Sequence, residues 1–208
     1  MKPPIAAKKP KRIRRHGDVR VDPYAWLRDR DDPEVLAYLK AENRHTAQRM
    51  RGTQPLQKKL FEEMRRRIKE TDLDVPVQVD DYFYYSRTIK GQQSPIFCRR
   101  RGSLRAREQV ILDHNELARG KKFFDVGLHA MSPDHRLLAY SSDTRGNERY
   151  TLRIKDLTTG KLRREAIEDV DSVAWALDGE TFFYTVLAHL HRRRCVLRRG
   201  GGASVAGE

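Results

Sequence analysis

The sequence predicts a mainly β chain that opens with an α-helical hairpin and continues as a partial β-propeller of about three blades. Three observations carry this. The strong helix-start signals stand together ahead of Val75, short strands follow them rather than alternate with them, and a strand–turn–strand unit recurs through the rest of the chain. An ordinary β-sandwich, which also has short strands at regular spacing, is the alternative this pattern alone allows.

Taken in order, residues 1–15 are rich in Pro, Lys and Arg with almost nothing to bury, and read as a basic flexible lead. Residues 16–74 read as an extended segment followed by the helical hairpin. In the extended part, Tyr24, Trp26 and Leu27 are expected to bury against a larger body, with Arg28 paired to an acid. Asp32-Pro33 starts the first helix, an N-cap followed by proline at the first helical position, with Leu36, Leu39, Ala47 and Met50 as its apolar stripe. Thr53-Gln54-Pro55 starts the second in the same way. Leu56, Leu60, Met64 and Ile68 follow at four-residue spacing, and Arg65-Arg66-Arg67 sit where the helix dipole favours positive charge.

Residues 75–186 hold the blade-like units. The clearest runs from about Leu128 to Lys161. Ser132-Pro133-Asp134 makes a turn, Leu137–Ser141 is an apolar strand, Asp143–Asn147 reverses the chain into Tyr150–Ile154, and Asp156–Gly160 closes the unit with turn residues. The stretch around Trp175, Asp178-Gly179 and Phe182–Thr185 repeats it, with Tyr140 and Tyr184 standing 44 residues apart, within the roughly 40–50-residue period of propeller blades. Upstream, Tyr82–Arg87, Lys90-Gly91 and Ile96–Arg99 form a third copy. Gln109–Asp113 is a further strand, and Asn115–Ala118 a short turn or helical piece. Residues 187–208 read as an atypical Arg/Gly-rich tail, with His191–Arg199 as a remnant of a next strand.

The chain has 208 residues and a formal charge of +14, which at first points to nucleic acid or an anionic surface. Most of that charge lies in the two ends: eight Lys or Arg against one acid in residues 1–20, and five against one in residues 186–208. Basic ends of this kind read as solvated tails, so nucleic acid is not the expected partner. The cluster Arg99-Arg100-Arg101 with Arg105 and Arg107 suits an exposed hairpin tip as well as a phosphate site, and shows no aromatic stacking platform in the sequence. Cys98 and Cys195 fall in no metal-ligand or C-x-x-C spacing and are expected to be free thiols in a reducing compartment, the cytoplasm. No apolar stretch has the length of a membrane span.

No complete active site is legible, and no cofactor or metal is called for. The nearest approach to a G-x-S-x-G elbow is Gly202-Ala203-Ser204-Val205-Ala206, too near the end for a helix to follow. Asp113-His114 and Asp134-His135 are sequence neighbours in turn-like contexts, and their histidines read as solvated. Glu62-Glu63 and Asp80-Asp81 have no reason to converge on a substrate. No phosphate loop or G-x-G-x-x-G is present. No catalytic or metal-ligating residue is therefore expected in this sequence, and it leaves any substrate-binding residues unknown.

The residues nonetheless resemble a known family. His16-Gly17-Asp18-Val19-Arg20-Val21-Asp22-Pro23-Tyr24-Ala25-Trp26-Leu27-Arg28-Asp29 resembles the N-terminal signature of the prolyl oligopeptidase family of serine peptidases, and looks most like its oligopeptidase B branch. Pro33–Asn43, Arg67–Asp72, Leu112–Ala118, Ser132-Pro133-Asp134 and Asp143–Tyr150 continue the likeness, which covers about Arg15 to Thr185. The motifs are specific in combination and weak singly.

The resemblance implies a seven-bladed propeller that restricts access to short peptides, with a C-terminal α/β-hydrolase domain that cleaves after Arg or Lys through a Ser-His-Asp triad. That domain is absent from this sequence, so no catalytic residue carries over and the chain is expected to be inactive unless a hydrolase domain is supplied separately. The ending after Thr185 departs from the family and reads as a shifted frame or a truncated gene. The other classes left open are a non-enzymatic propeller-like scaffold that binds peptide on a sheet edge, and an anionic-surface or nucleic-acid binder acting through the tails.

Overall fold

The computed structural model describes residues 2–188, 192–199 and 205–206. The chain divides into two compact units, one up to Ile68 and one from Lys69 onward.

The first unit begins with a hairpin. Strands β1 (Lys11–Arg15) and β2 (Asp18–Asp22) pair antiparallel from Arg15 opposite Asp18 to Lys11 opposite Asp22. The lead expected to be flexible over residues 1–15 therefore ends in a strand. The cause is local: His16 and Gly17 both take positive φ, 51° and 82°, the pair of conformations a two-residue type I′ hairpin needs. Trp26, on a 3-10 turn at Ala25–Arg28, donates its indole N–H to the Ala7 carbonyl at 2.8 Å and meets the Tyr38 ring edge-on at 6.5 Å. Arg28 pairs with Asp22 at 3.7 Å, whereas Tyr24, expected to be buried, is 40% exposed.

Helix α1 (Pro33–Met50) starts as the sequence indicates, with the Asp32 carboxylate accepting the Glu34 N–H at 2.8 Å. Helix α2 (Gln54–Arg66) begins differently. Thr53 sits in the right-handed helical region and donates its hydroxyl to the Met50 carbonyl at 2.7 Å, so a 3-10 turn at Arg51–Thr53 carries the chain from one helix to the next without a side-chain cap. The two helices do not bury their stripes on each other. Leu36, Leu39, Leu56, Leu60 and Met64 are all 43–59% exposed, and only Val35 is fully buried.

The second unit is three four-stranded antiparallel sheets, each a meander in chain order, which is the architecture of a propeller blade. The first contains β3 (Val77–Val79), β4 (Tyr82–Arg87), β5 (Ile96–Arg101) and β6 (Gln109–Asp113), followed by the short α3 (His114–Ala118). The second contains β7 (Asp125–Met131), β8 (Leu137–Asp143), β9 (Thr151–Asp156) and β10 (Leu162–Ile167). The third contains β11 (Val170–Trp175), β12 (Thr181–Ala188), β13 (Arg192–Arg199) and β14 (Val205–Ala206). The stretch read as an atypical tail after residue 186 thus supplies two strands: β13 pairs with β12 from Ala188 opposite Arg192 to Thr181 opposite Arg199. The arginine-rich composition suggested only a strand remnant here, yet ladder hydrogen bonds are made by the backbone, so a full strand forms.

The middle blade organises the core. All seven residues of β8 are buried. Its alternate side chains serve two interfaces: Leu137 and Ala139 pack with Leu152, Ile154, Val170, Phe182 and Tyr184, while Leu138 and Tyr140 pack with Ile111, Leu112 and Leu157. A strand covered on both faces reads as an unbroken apolar run, as Leu137–Tyr140 does. Trp175 ties the third blade to the second by donating its indole N–H to the Ala130 carbonyl at 3.1 Å.

Turn chemistry fixes the blade edges. The buried Asp143 carboxylate accepts the backbone N–H groups of Arg145, Gly146, Asn147 and Glu148 at 2.7–3.1 Å. Burial alone would raise its pKa, but the four N–H donors outweigh that and hold it below the ordinary carboxylate value. Gly127 is needed for close approach: a Cβ there would lie 2.7 Å from the Tyr150 ring. That ring is anchored by a 2.8 Å bond from its hydroxyl to Asp125, which pushes the Tyr150 pKa up to about 12.

Candidate functional site

A cleft with mostly apolar walls lies between the first and second blades. Register determines its walls. Val77 pairs with Tyr84 and Ser86 with Phe97, so these four side chains share one face of the first sheet, and His129, Met131 and the turn Ser132–His135 face them from the second. The space they enclose is about 660 Å³ and its walls are mostly apolar.

A chain of polar groups closes one end of it. The β3–β4 turn holds Asp80 at φ 51°, and the β7–β8 turn holds His135 at φ 59°. Asp80 Oδ2 lies 2.9 Å from His135 Nε2, and the Tyr84 hydroxyl 2.7 Å from His135 Nδ1. In the tautomer that satisfies every atom, Tyr84 donates to Nδ1 and the Nε2–H donates to Asp80. Arg99, 5% exposed, donates to the His135 carbonyl at 2.6 Å, to the Tyr84 hydroxyl at 3.3 Å and to Gln109 Oε1 at 2.7 Å. Gln109 then donates to the Leu157 carbonyl at 3.0 Å. Every link from Asp80 to Leu157 joins the first blade to the second or supports a residue that does.

This cluster binds two blades together and is not primed for nucleophilic attack. Burial raises the Tyr84 pKa above the ordinary phenol value, so its proton is held. Ser132, the nearest serine on the second blade, is committed to Asp134 and to the Leu137 N–H. Cys98 on β5 is fully buried and unpaired, and burial pushes its thiol up to about 11. A second network lies on the opposite face of the first sheet, where Arg87 grips Glu108 at 2.9 Å and Tyr85 donates to the same carboxylate at 2.7 Å. Burial works against the charged form of Glu108, yet these donors prevail and keep its pKa low.

The residues weighed from sequence fall as follows. His135 was read as a solvated turn histidine and is instead 8% exposed. The reason is tertiary: it is covered by the first blade, where its partner Asp80 lies 55 residues upstream. His114 is partly buried against the Phe97 ring at 5.1 Å, and its pKa is lowered by burial and by His129, while Asp113 caps the short helix α3. Asp80 joins the cleft and Asp81 does not, its carbonyl accepting the Gly102 N–H. Glu62 and Glu63 stay on α2, Glu63 within 4.0 Å of Lys59. Ser204 lies outside the described residues.

The arginine cluster also differs from expectation, since aromatic platforms do lie beside it. Arg99 stacks over Tyr82 at 4.4 Å, Arg101 over the same ring at 5.7 Å and Arg100 over Tyr85 at 5.7 Å. These rings are on the neighbouring strand β4, so the partners are internal. Tyr84 and Gln109 were named from sequence only as strand residues, and Arg99 only within a basic cluster expected at an exposed hairpin tip, whereas it is buried. The available signal was the turn at Gly91, which sets Tyr84 opposite Arg99 once the hairpin is folded about it.

Comparison with known proteins agrees with this architecture. Residues 3–199 match the family described as prolyl oligopeptidase, N-terminal beta-propeller domain. Protease 2 of Moraxella lacunata is 41% identical over 207 residues, covering 96% of this chain and 30% of that protein. Dipeptidyl aminopeptidase BI of Pseudoxanthomonas mexicana is 40% identical over 201 residues, covering 88% of this chain and 28% of that protein. Among solved structures, oligopeptidase B from Trypanosoma brucei with covalently bound antipain, in its closed form, superposes with a TM-score of 0.88 at 31% identity, over 99% of this chain and 32% of that one. The chain thus spans less than a third of the length of these curated relatives. With three stacked meander blades and a family match across nearly all of its length, the chain belongs to the prolyl oligopeptidase family and carries its N-terminal propeller portion.

Proposed function

We infer that this chain is the access-restricting propeller portion of a cytoplasmic oligopeptidase B-like serine endopeptidase that cleaves short peptides after Arg or Lys. The Ser-His-Asp triad then belongs to a hydrolase domain outside these 208 residues, and the chain alone does not hydrolyse peptides. The observation that carries the reading is the stack of three blades, whose fold matches an oligopeptidase B with bound antipain at 31% identity. In such an arrangement the blades contribute selection and exclusion, while bond cleavage needs a nucleophile and base that the cleft described above does not offer.

The test is direct. The purified chain, incubated with a chromogenic arginine amide, should release no product above the uncatalysed blank. Robust turnover that disappears on Ser204→Ala would overturn the reading.

A further inference from the structure

The cleft between the first two blades has a charge pattern opposite to that of the chain. The protein carries a formal charge of +14, yet the groups at the cleft mouth are carboxylates, Asp74 and Asp80. Neither is paired with a lysine or arginine among the described residues: Asp74 accepts the Ser86 hydroxyl, and Asp80 meets only the ring of His135 while its own side chain stays 75% exposed. Between and beneath them the walls are Val77, Val79, Phe97 and Met131, and the two valines are 61% and 46% exposed.

Apolar walls of this extent, with a few convergent polar groups and a volume of about 660 Å³, have the size and character of a small-ligand site. Exposed valines facing a groove gain from being covered, and exposed carboxylates without a cation gain from being paired. One ligand class meets both needs, namely a cation carried on an apolar body.

We propose that this interblade cleft binds short peptides presenting an arginine or lysine next to an apolar residue, the apolar side chain lying on Val77, Val79 and Met131 and the cation between Asp74 and Asp80. The proposal rests on the reading of the chain as part of a peptidase for basic peptides and adds a binding site within the blades themselves. Asp80 is held for this role by its left-handed backbone and by His135, which fixes the carboxylate at the mouth without neutralising it through a lysine or arginine.

Calorimetric titration of the 208-residue chain with N-acetyl-phenylalanyl-arginine amide tests it. The peptide should bind, and the citrulline isostere, which keeps the shape and loses the charge, should bind at least about tenfold more weakly. The Asp74→Asn/Asp80→Asn double variant should lose that discrimination. If the double variant fails to fold, Val77→Arg decides: Val77 is exposed, so the substitution leaves the core intact, and its own cation should occupy the cleft and abolish binding. No binding, equal binding of the two peptides, or binding unchanged in the variants would each overturn the proposal. Hydrolysis by the chain would overturn the inference about the triad and leave the binding result standing, so the two failures are distinguishable.

Discussion

Leu138→Ala should cost the chain about 2–5 kcal/mol of stability, read as a lower denaturation midpoint with little change in slope. Leu138 is 0% exposed and sits on β8, the strand that both neighbouring blades cover. Its side chain points into the cluster with Ile111, Leu112, Tyr140 and Leu157, so truncation opens a cavity between the first and second blades. Because β8 is hydrogen-bonded to β7 and β9 on its two sides, the surrounding backbone has little freedom to collapse into that space. Leu177→Ala is the matched control: Leu177 is 94% exposed, and its loss should stay within about 0.5 kcal/mol. A Leu138→Ala loss no larger than that of the control would mean that the blades are not stacked as described.

Arg99→Ala should be the most damaging polar substitution, at about 3 kcal/mol or more. It removes the donors to Gln109 Oε1 and the His135 carbonyl and the stack on Tyr82, and leaves buried acceptors without partners. An unmade bond in the interior costs more than a made one contributes, which is why the sum is large. Arg99→Lys should rescue little, since a single ammonium cannot reproduce the planar fork that reaches Gln109, Tyr84 and His135 together. Full stability of either variant in denaturant titration would contradict the role given to this network.

How far the sequence reveals this structure depends on the range of the interactions involved. Asp32-Pro33, Asp156–Gly160 and the Asp143–Glu148 turn were legible because each is a short-range device in which a carboxylate bonds backbone a few residues on. The strand β8 was legible because burial on both faces writes an unbroken apolar run. The edge strand β10, Leu162–Ile167, carries Arg163, Arg164 and Glu165 and has mostly exposed residues, so its composition matches that of a loop. The arginines of β13 masked its extent in the same way, so that only a strand remnant was legible there.

The candidate site was less legible than the fold. Tyr84 and Asp80 stand 51 and 55 residues from His135 along the chain, and only the stacking of one blade on another brings them to it. Composition placed Arg99 with its basic neighbours, whereas strand alternation and the Tyr82 ring turn it inward. The cleft that they border is a property of two sheets, and neither sheet alone encodes it.

The central claim is that these residues form a stack of blades held by a middle blade covered on both sides. Native-state hydrogen exchange resolved to single amides tests this most directly. The account predicts the slowest exchange in β8 and β9, with weaker protection in β3 and in helices α1 and α2, whose apolar stripes are exposed. Slowest exchange in the helices, or uniformly fast exchange across all three sheets, would contradict it.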